Sequence, residues 1–328
     1  MLAGLKTSPC LTRARGFAMN QSYFQTAALV ALIVLCLAVP AQAGLYISGD
    51  FGMNFGSSMT IDGHDTDRAS VCDEYINPSY ASAADGSGMS CTAGNRGSDS
   101  LWYSRHGSDE GPLFALAIGF DMPDSRIRTE LEYFYRDTGY DETSYVAGAG
   151  GVIWAKLGDE IKTAEQTIDS VTSHNLFVNL YVDFAGHTRL TPYVGLGIGL
   201  GFTEMDYGAV FSRNIDPAAI TTGNHLPNAA EIQANLAGTT TVEHEELDDT
   251  LFGYQLMAGL DYLLTDHLVL GVKARWVEYD SFKDKDEWDA LRSHPSNLRR
   301  DGSEPVVYDI KVDDMEMFAV SMVLKYKF

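Results

Sequence analysis

The chain has 328 residues, of which 45% are hydrophobic and 21% are charged, and its formal net charge is −22. So acidic a surface repels nucleic acid, which excludes DNA or RNA binding as a function. After residue 43, no stretch is apolar for the roughly 20 residues that a membrane-spanning helix needs. What recurs along the chain instead is an alternation of apolar and polar residues, and this pattern predicts β-strands.

The N-terminal segment has the pattern of a secretory signal peptide. Lys6, Arg13 and Arg15 precede an unbroken apolar run at residues 27–39, and Ala-Gln-Ala follows at residues 41–43. A positive start, a short apolar run and a small-x-small cleavage site mark a signal that is removed on export. We therefore expect a signal peptide over residues 1–43 and a mature domain over residues 44–328. Loss of the three basic residues would change the net charge from −22 to −25.

Two cysteines, Cys72 and Cys91, remain after the predicted signal peptide. An even pair in an exported protein predicts a disulfide bond, because the compartments outside the cytoplasm are oxidising. Two free thiols are the alternative.

Eight segments of the mature chain alternate with a period of two, and each has about the length that a tilted strand needs to cross a bilayer. They lie at residues 45–55, 113–122, 126–135, 174–184, 193–202, 252–262, 268–276 and 318–328. One face of every segment carries no Asp, Glu, Lys or Arg, while the other mixes Gly, Ala and Asn with charges. A soluble β-sandwich also alternates, but its outer face is richly charged. The pattern therefore predicts an all-β fold, an eight-stranded antiparallel transmembrane β-barrel.

The connections between these segments alternate strictly between short and long. The short ones cover residues 121–125, 185–191 and 263–267, and the long ones cover residues 56–112, 136–173, 203–251 and 277–317. Outer-membrane barrels have short periplasmic turns and long extracellular loops, so we expect four long extracellular loops and both termini on the periplasmic side. Short helices are predicted at residues 154–169 and at residues 228–237, the second ended by Gly238.

Outward-facing aromatic residues sort into two belts when this polarity is applied. Such belts are typical of the two bilayer interfaces. Near the periplasmic rim fall Phe120, Phe184, Tyr262, Tyr326 and Phe328, and near the outer rim fall Phe55, Tyr133, Tyr135, Phe202 and Trp276.

Charged residues on the inner face should fill the barrel, because an eight-stranded barrel is just wide enough for its own side chains. The third segment directs inward Arg126, Arg128, Glu130 and Glu132. Lys273 and Arg275 point in from the seventh segment, on the opposite wall. We expect Glu130 or Glu132 to pair with Lys273 or Arg275, with Asp50 as a further acceptor. Paired carboxylates also serve glycosidases, but no sugar reaches a sealed lumen, so neither catalysis nor a cofactor is expected.

The fifth segment places four glycines on its inner face, Gly195, Gly197, Gly199 and Gly201. A row without side chains either leaves a narrow water path or makes room for the aromatic rings of Phe177 and Tyr181 on the neighbouring strand. Packing is the favoured interpretation, because backbone left open in a lumen must be hydrated.

Two further groups of residues suggest sites. The acidic cluster Asp62, His64, Asp65 and Asp67 could hold a hard cation, but it lacks the twelve-residue calcium-loop spacing, so a solvated loop is expected. Ser173 and His174 resemble the Ser and His of barrel enzymes that trim lipid A. Adjacent residues on a strand point to opposite faces, so these two cannot form a catalytic pair.

The amino-acid sequences of the strands resemble those of the small outer-membrane β-barrel proteins. This family includes OmpA-type transmembrane domains, neisserial opacity proteins and surface antigens of intracellular α-proteobacteria. The matching pieces are GLYISG at 44–49, TPYVGLG at 191–197, AGLDY at 258–262, TDHL at 265–268 and LKYKF at 324–328. The resemblance implies that Phe328 is part of the signal read by the barrel-assembly machinery. It implies no ligand-binding residues, because loops diverge freely.

Two classes of function follow for a Gram-negative outer-membrane protein. The first is a monomeric surface protein, structural or adhesive, whose barrel sits in the outer-membrane lipid and anchors acidic loops that meet an unidentified extracellular ligand. The second is a narrow porin or channel for small solutes. An enzyme acting on lipid would need a matched set of catalytic residues, and the sequence offers none.

Overall fold

The computed structural model describes residues 44–65, 76–78, 100–122, 125–140, 144–145, 147–148, 156–184, 188–287, 307–313 and 315–328. The predicted signal peptide, Cys72, Cys91 and Asp67 lie outside this part of the chain. The strands of the described part are β1 Gly44–Gly56, β2 Met59–Asp65, β3 Ser100–His106, β4 Glu110–Asp121, β5 Ile127–Gly139, β6 Ser144–Tyr145, β7 Ala147–Gly148, β8 Ile161–Asp183, β9 Leu190–Arg213, β10 Thr240–Leu263, β11 Leu268–Tyr279, β12 Phe282–Glu287, β13 Val307–Val312 and β14 Glu316–Lys327.

Eight of these strands form a closed antiparallel barrel, which confirms the predicted fold class. The order around the barrel is β5-β4-β1-β14-β11-β10-β9-β8, and β8 pairs back to β5. The first and last strands pair in register from Tyr46 opposite Lys327 to Gly56 opposite Met317. The last strand in sequence therefore closes the ring beside the first.

The alternation along each strand separates a buried inner face from an exposed apolar outer face. In β1, Tyr46, Ser48 and Asp50 are buried, whereas Ile47 and Phe51 are exposed. Exposed apolar side chains surround the barrel, among them Leu116, Tyr133, Leu180, Leu196, Leu256, Val272 and Met322. A closed barrel has no unpaired strand edge, and its apolar outer band is compatible with the hydrocarbon core of a bilayer. None of the helices in the described residues is long and apolar enough to cross a membrane.

Three strands continue well beyond the predicted bilayer crossings. Strand β8 begins at Ile161, β9 ends at Arg213 and β10 begins at Thr240. The helix predicted at residues 154–169 is therefore wrong from Ile161 onward, because Ala164 and Ile168 are buried with the two-residue period of a strand. Register shifts between Ile161 and Thr163 and between Ile168 and Val171 change which parity faces inward, which hides this strand from a simple parity count.

The second predicted helix is confirmed as α1, Ala229–Leu236. Its apolar residues Ile232 and Leu236 pack with Ile76 and Ile220 in a small cluster of their own. Gly238 follows the helix with a φ of 69°, a left-handed conformation that glycine adopts without strain.

A second sheet of five strands covers the end of the barrel that is expected to be extracellular, and the sheet itself was not predicted. Its order is β12-β13-β2-β3-β7, so it combines strands from three of the predicted loops. Its inner face buries Met59, Ile61, Trp102, Phe282 and Ile310. At Gly63 the Trp102 ring crosses the backbone so closely that a Cβ atom would lie 2.0 Å from it, which explains the glycine.

One hydrophobic core joins this sheet to the barrel. The buried residues of the second sheet belong to the same cluster as Leu113, Phe134, Phe177 and Val277, which line the outer half of the barrel interior. Burial of each large apolar side chain stabilises the fold by about 1.5–3 kcal/mol. The extracellular part is therefore a folded body continuous with the barrel.

Candidate functional site

The centre of the barrel holds a network of five charged side chains. Lys273 Nζ lies 2.7 Å from Asp50 Oδ2, 3.1 Å from Glu132 Oε1 and 3.9 Å from Glu130 Oε1. Arg275 Nη2 lies 2.6 Å from Glu132 Oε1 and 3.3 Å from Asp50 Oδ2. All five residues are buried and come from β1, β5 and β11. The structure thus brings together the lumen residues that the sequence placed on facing walls.

Neutral side chains complete the hydrogen bonding of the two glutamates. Tyr46 and Tyr181 each donate a hydroxyl to Glu130, both at 3.0 Å. Asn179 and Gln255 donate their amides to Glu132 at 2.9 and 3.2 Å. A buried charge is tolerated only when its remaining hydrogen-bonding positions are filled, so these four residues are part of what makes the network stable.

The periplasmic end of the lumen has a second layer of charge. The guanidinium of Arg128 lies between the rings of Tyr181 and Tyr193, 4.4 and 4.5 Å from their centroids. Its Nε also lies 3.0 Å from Asp183. Close by, Lys325 Nζ lies 2.7 Å from Asp261. Ion pairing and cation–π contact together hold these charges without bulk water.

Arg126 does not point into the lumen of the barrel, so its predicted inward position is wrong. It precedes β5, which begins at Ile127, and it is exposed. Its backbone carbonyl accepts a hydrogen bond from the Asp183 amide at 2.8 Å. The residue therefore belongs to the rim of the barrel and not to the lumen.

The glycine row of β9 is covered by the side chains of β8. A Cβ atom added at Gly195 would lie 2.4 Å from the Tyr181 ring, and one at Gly199 would lie 2.5 Å from the Phe177 ring. Asn179 covers Gly197 in the same way, at 2.0 Å. The missing side chains make room for packing, as the favoured interpretation expected.

Above the charged centre, the lumen becomes aromatic and apolar. The rings of Phe134 and Phe177 lie 5.5 Å apart, and those of Phe177 and Tyr279 lie 6.3 Å apart. Arg275 contacts this layer from below, because its guanidinium lies 4.6 Å from the centroid of Phe134. The interior therefore changes from ion pairs at its centre to a hydrophobic core at its extracellular end.

Three residues of the predicted acidic cluster, Asp62, His64 and Asp65, lie on the second sheet. His64 Nδ1 lies 2.7 Å from Asp309 Oδ2 of the neighbouring strand, and Asp62 stands opposite Lys311. Asp65 ends β2, and its side chain is not described. Within the described ranges, no group of three or more His, Cys, Asp or Glu side chains is placed to hold a metal ion.

Ser173 and His174 face opposite sides of β8, as their adjacency predicts. Ser173 is buried and donates to Asn175 Oδ1 at 3.1 Å. His174 faces outward, where its Nδ1 lies 2.7 Å from the Tyr133 hydroxyl. The two side chains therefore do not form a catalytic pair.

The final residue, Phe328, lies on the outer surface at the periplasmic rim. Its side chain is 66% exposed, its ring lies 5.2 Å from that of Tyr326, and its amide donates to the Leu45 carbonyl at 3.0 Å. The aromatic side chain is thus available at the edge where the ring closes.

One cluster of the extracellular body was missed by the sequence analysis. The buried side chain of Glu160 accepts hydrogen bonds from the backbone and hydroxyl groups of Thr221 and Thr222, and Lys156 Nζ lies 3.1 Å away. Burial acts to raise the pKa of Glu160, but these hydrogen bonds and the lysine charge hold it at about 2. The two threonines lie about 60 residues from Glu160 in sequence, so no local motif signals them.

A closed barrel with an apolar outer band and a charged, self-paired interior defines an outer-membrane β-barrel protein. Residues 42–216, more than half of the chain, match the family described as surface antigen, and the chain belongs to this family. It is 24% identical over 284 residues to uncharacterized proteins of Brucella suis biovar 1 (strain 1330) and Brucella abortus (strain 2308), an alignment that covers 84% of this chain and 79% of each relative.

Solved barrels resemble the chain more distantly. Neisserial surface protein A is 10% identical with a TM-score of 0.37, covering 87% of this chain and 97% of that one. The outer-membrane protein OprG from Pseudomonas aeruginosa is 13% identical with a TM-score of 0.39, covering 87% and 96%. The barrel assignment rests on the strand ladders of this chain itself.

Proposed function

We propose that the protein is a surface anchor, in which the barrel holds a large folded body outside the cell for structural or adhesive contact with a partner. The observation that carries this proposal is the shared hydrophobic core, which fixes the second sheet to the barrel. A protein built only to conduct solutes has no need of such a body. The lumen also favours an anchor, because Lys273 and Arg275 reach across it to Asp50 and Glu132.

The outward face of the second sheet is the proposed contact surface. On β3, Leu101 is 55% exposed and Tyr103 is 43% exposed, although both are apolar or aromatic. Tyr103 stands opposite Asp62, which in turn stands opposite Lys311. Aromatic residues bordered by polar ones are typical of protein contact surfaces. A protein partner fits this mixture better than a small solute does.

Conductance tests the proposal against its alternative, a narrow channel. The refolded protein is first shown to be a barrel by the mobility shift of unheated samples in gel electrophoresis. It is then inserted into planar lipid bilayers. We expect no steady single-channel current, because side chains fill the lumen. Reproducible unitary currents from folded protein would contradict the anchor and support the channel.

Protease treatment of intact cells tests whether the second sheet lies outside. We expect cleavage within the extracellular part of the chain while the eight barrel strands stay protected by the membrane. Cells that carry Leu101→Ser and Tyr103→Ser should display the protein normally and lose adhesion to surfaces that parent cells bind. Adhesion unchanged by both substitutions would remove this face from the proposal.

Export and assembly complete the proposed function. If residues 1–43 are removed, the intact mass of the protein should equal that of a chain beginning at Gly44. If Cys72 and Cys91 form a disulfide, reduction should increase the mass by about two hydrogens. The assembly role proposed for Phe328 predicts less folded barrel in the membrane after Phe328→Ala. Equal amounts of folded parent and variant would contradict that role.

A further inference from the structure

The extracellular body has two walls that enclose its core. The long ends of β8, β9 and β10 form one wall, and the second sheet forms the other. Buried side chains from both walls meet between them, for example Leu247 and Met205 from the first and Phe282 and Tyr308 from the second. The stability of the body therefore depends on how the edges of the two walls are joined.

The edge between β10 and β12 is joined differently from the strand pairs around it. The ladder between β10 and β11 ends at Gly253 opposite Tyr279. One backbone hydrogen bond follows, from the Asp280 amide to the Phe252 carbonyl at 2.9 Å. Beyond it, the described residues of β10 and β12 share no ladder, whereas β12 pairs with β13 at six successive positions.

Aspartate side chains take the place of the missing ladder. Asp280 accepts from the Phe252 amide at 2.8 Å, Asp249 accepts from the Lys283 amide at 2.9 Å, and Asp284 accepts from the Asp248 amide at 2.9 Å. The last two bonds are reciprocal, since each strand offers one carboxylate to the other. A side chain spans more distance than a backbone carbonyl does, so the two strands stand apart at this edge.

The base of the β12–β13 hairpin is held more firmly. The Tyr279 amide donates to the Met315 carbonyl at 3.0 Å, and the Ser281 hydroxyl donates to Asp313 at 2.8 Å. These bonds link the chain entering the hairpin to the chain leaving it. The hairpin is thus pinned at its base near Asp280 and paired along β13 with β2, whereas its β12 side is held to β10 by carboxylate side chains.

We infer that the β10–β12 edge is a seam along which the β12–β13 hairpin separates from the barrel wall, pivoting at Asp280. Separation breaks the bonds of Asp249 and Asp284 to the facing amides and bends the second sheet at its β12 edge, while the β12–β13 and β13–β2 ladders stay intact. It uncovers Leu247 and Leu251 on β10 and Phe282 on β12, all of which are buried when the seam is closed. Local opening of this kind is expected where few backbone hydrogen bonds hold an element.

Thiol labelling of the folded, full-length mature protein tests the seam. Leu247→Cys places a buried thiol at the seam, and Ile61→Cys places one in the middle of the second sheet, where β2 is paired on both sides. A maleimide probe reacts only when a site opens. We expect Leu247→Cys to react at least about tenfold faster than Ile61→Cys, measured peptide by peptide with mass spectrometry. Equal rates would mean that the seam is not the point of opening.

Removal of the aspartates identifies their role. Asp249→Ala together with Asp284→Ala should accelerate labelling of Leu247→Cys by about tenfold or more and leave Ile61→Cys unchanged. Asp309→Ala is the matched control, because this carboxylate of β13 contacts His64 of β2 and not β10, so its removal should not accelerate labelling of Leu247→Cys. Acceleration of both cysteines, or of neither, would overturn the inference.

Hydrogen exchange of the unsubstituted protein provides a test that needs no variant to fold. The amides of Asp248 and Lys283 should exchange at least about tenfold faster than the ladder-paired amides of β2 and β13. Equal protection of the two sets of amides would overturn the inference, as would equal labelling rates of the two cysteine variants.

Discussion

The two ends of the barrel interior are filled by different chemistry. At the centre, the charges of Asp50, Glu132, Lys273 and Arg275 satisfy one another. At the periplasmic end, Arg128 pairs with Asp183 and Lys325 pairs with Asp261. At the extracellular end, Phe134 and its neighbours belong to a core that continues into the second sheet. The charged end is thus complete within the barrel, whereas the apolar end depends on strands from outside the membrane.

This difference predicts that substitutions can destabilise one end of the barrel interior without destabilising the other. Loss of a charged partner leaves the opposite charge buried without compensation, which destabilises the whole barrel. Loss of an apolar contact near the second sheet leaves a cavity, which destabilises the extracellular body. Substitutions at the two ends should therefore affect different measurements.

The largest effect is expected from Glu132→Gln, since Glu132 is fully buried and contacts both Lys273 and Arg275. Glutamine keeps the shape and removes the charge, so two buried cations are left with Asp50 and Glu130 as their carboxylate partners. Breaking a buried pair costs about 3–5 kcal/mol. The temperature at which the folded form is lost in gel electrophoresis should fall markedly.

Glu110→Gln is the matched control, because Glu110 is an exposed glutamate at the start of β4. Its substitution should leave the transition within the error of the gel assay. An unchanged transition for Glu132→Gln would show that the lumen does not depend on its ion pairs.

The next effect is expected from Phe282→Ala at the apolar end. Phe282 is completely buried in the core between the second sheet and the barrel, and a Phe to Ala change in such a position costs about 3–5 kcal/mol. The loss should appear as faster proteolysis and hydrogen exchange in β12 and β13. The heat-induced gel shift of the barrel should change little.

A matched exposed position controls for the assay. Phe318→Ala removes an aromatic ring from the lipid-facing surface, where the ring is 46% exposed, and it should not affect proteolysis of β12. A barrel that unfolds together with the second sheet in Phe282→Ala would show that the two regions form one cooperative unit.

The sequence predicts the barrel well because lipid imposes a strict rule on one face of every spanning strand. Within the eight predicted segments, no charged residue occurs on the lipid-facing parity, and Phe51, Leu116 and Met322 are exposed as that rule requires. The charged character of the lumen could be predicted for the same reason. Charged side chains such as Lys273 cannot face lipid, so they face inward. Which carboxylate meets which base depends on strand tilt and stagger, which a sequence does not show.

The extracellular body escaped prediction because its pairings are long-range and its strands are less regular. Strands β2 and β13 pair although Asp309 and His64 are 245 residues apart, and no local signal announces such a partner. In β8, the register shift between Ile168 and Val171 interrupts the period of two. Buried polar residues such as Gln166 further dilute the alternation.

A smaller effect is expected from Gly195→Ala in the covered glycine row. The new methyl group would lie 2.4 Å from the Tyr181 ring, so the ring must shift within a filled lumen. Overpacking of this kind costs about 1–3 kcal/mol, which should lower the heat transition by less than Glu132→Gln does.

Gly49→Ala is the control, because a Cβ atom there meets nothing closer than 3.7 Å on the lipid-facing surface. It should be neutral in the same gel assay. Equal behaviour of the two alanines would mean that the lumen has space beside Gly195.

The smallest effect is confined to the cluster around Glu160. Its pKa of about 2 lies below the roughly 4.3 of an unfolded glutamate. Because the folded pKa is the lower one, this carboxylate stabilises the fold fully above the unfolded value, and its contribution is lost as the pH falls from about 4.3 through 2. Only the contact between the start of β8 and the segment at Thr221 and Thr222 should loosen in this range.

Amide chemical shifts of Thr221 and Thr222 in the folded protein report this titration directly, because both amides donate to Glu160. Their midpoint should lie near 2, and Glu160→Gln should abolish the transition while leaving the barrel signals in place. A midpoint at the ordinary value of about 4.3 would mean that the threonine hydroxyls and Lys156 do not hold this carboxylate.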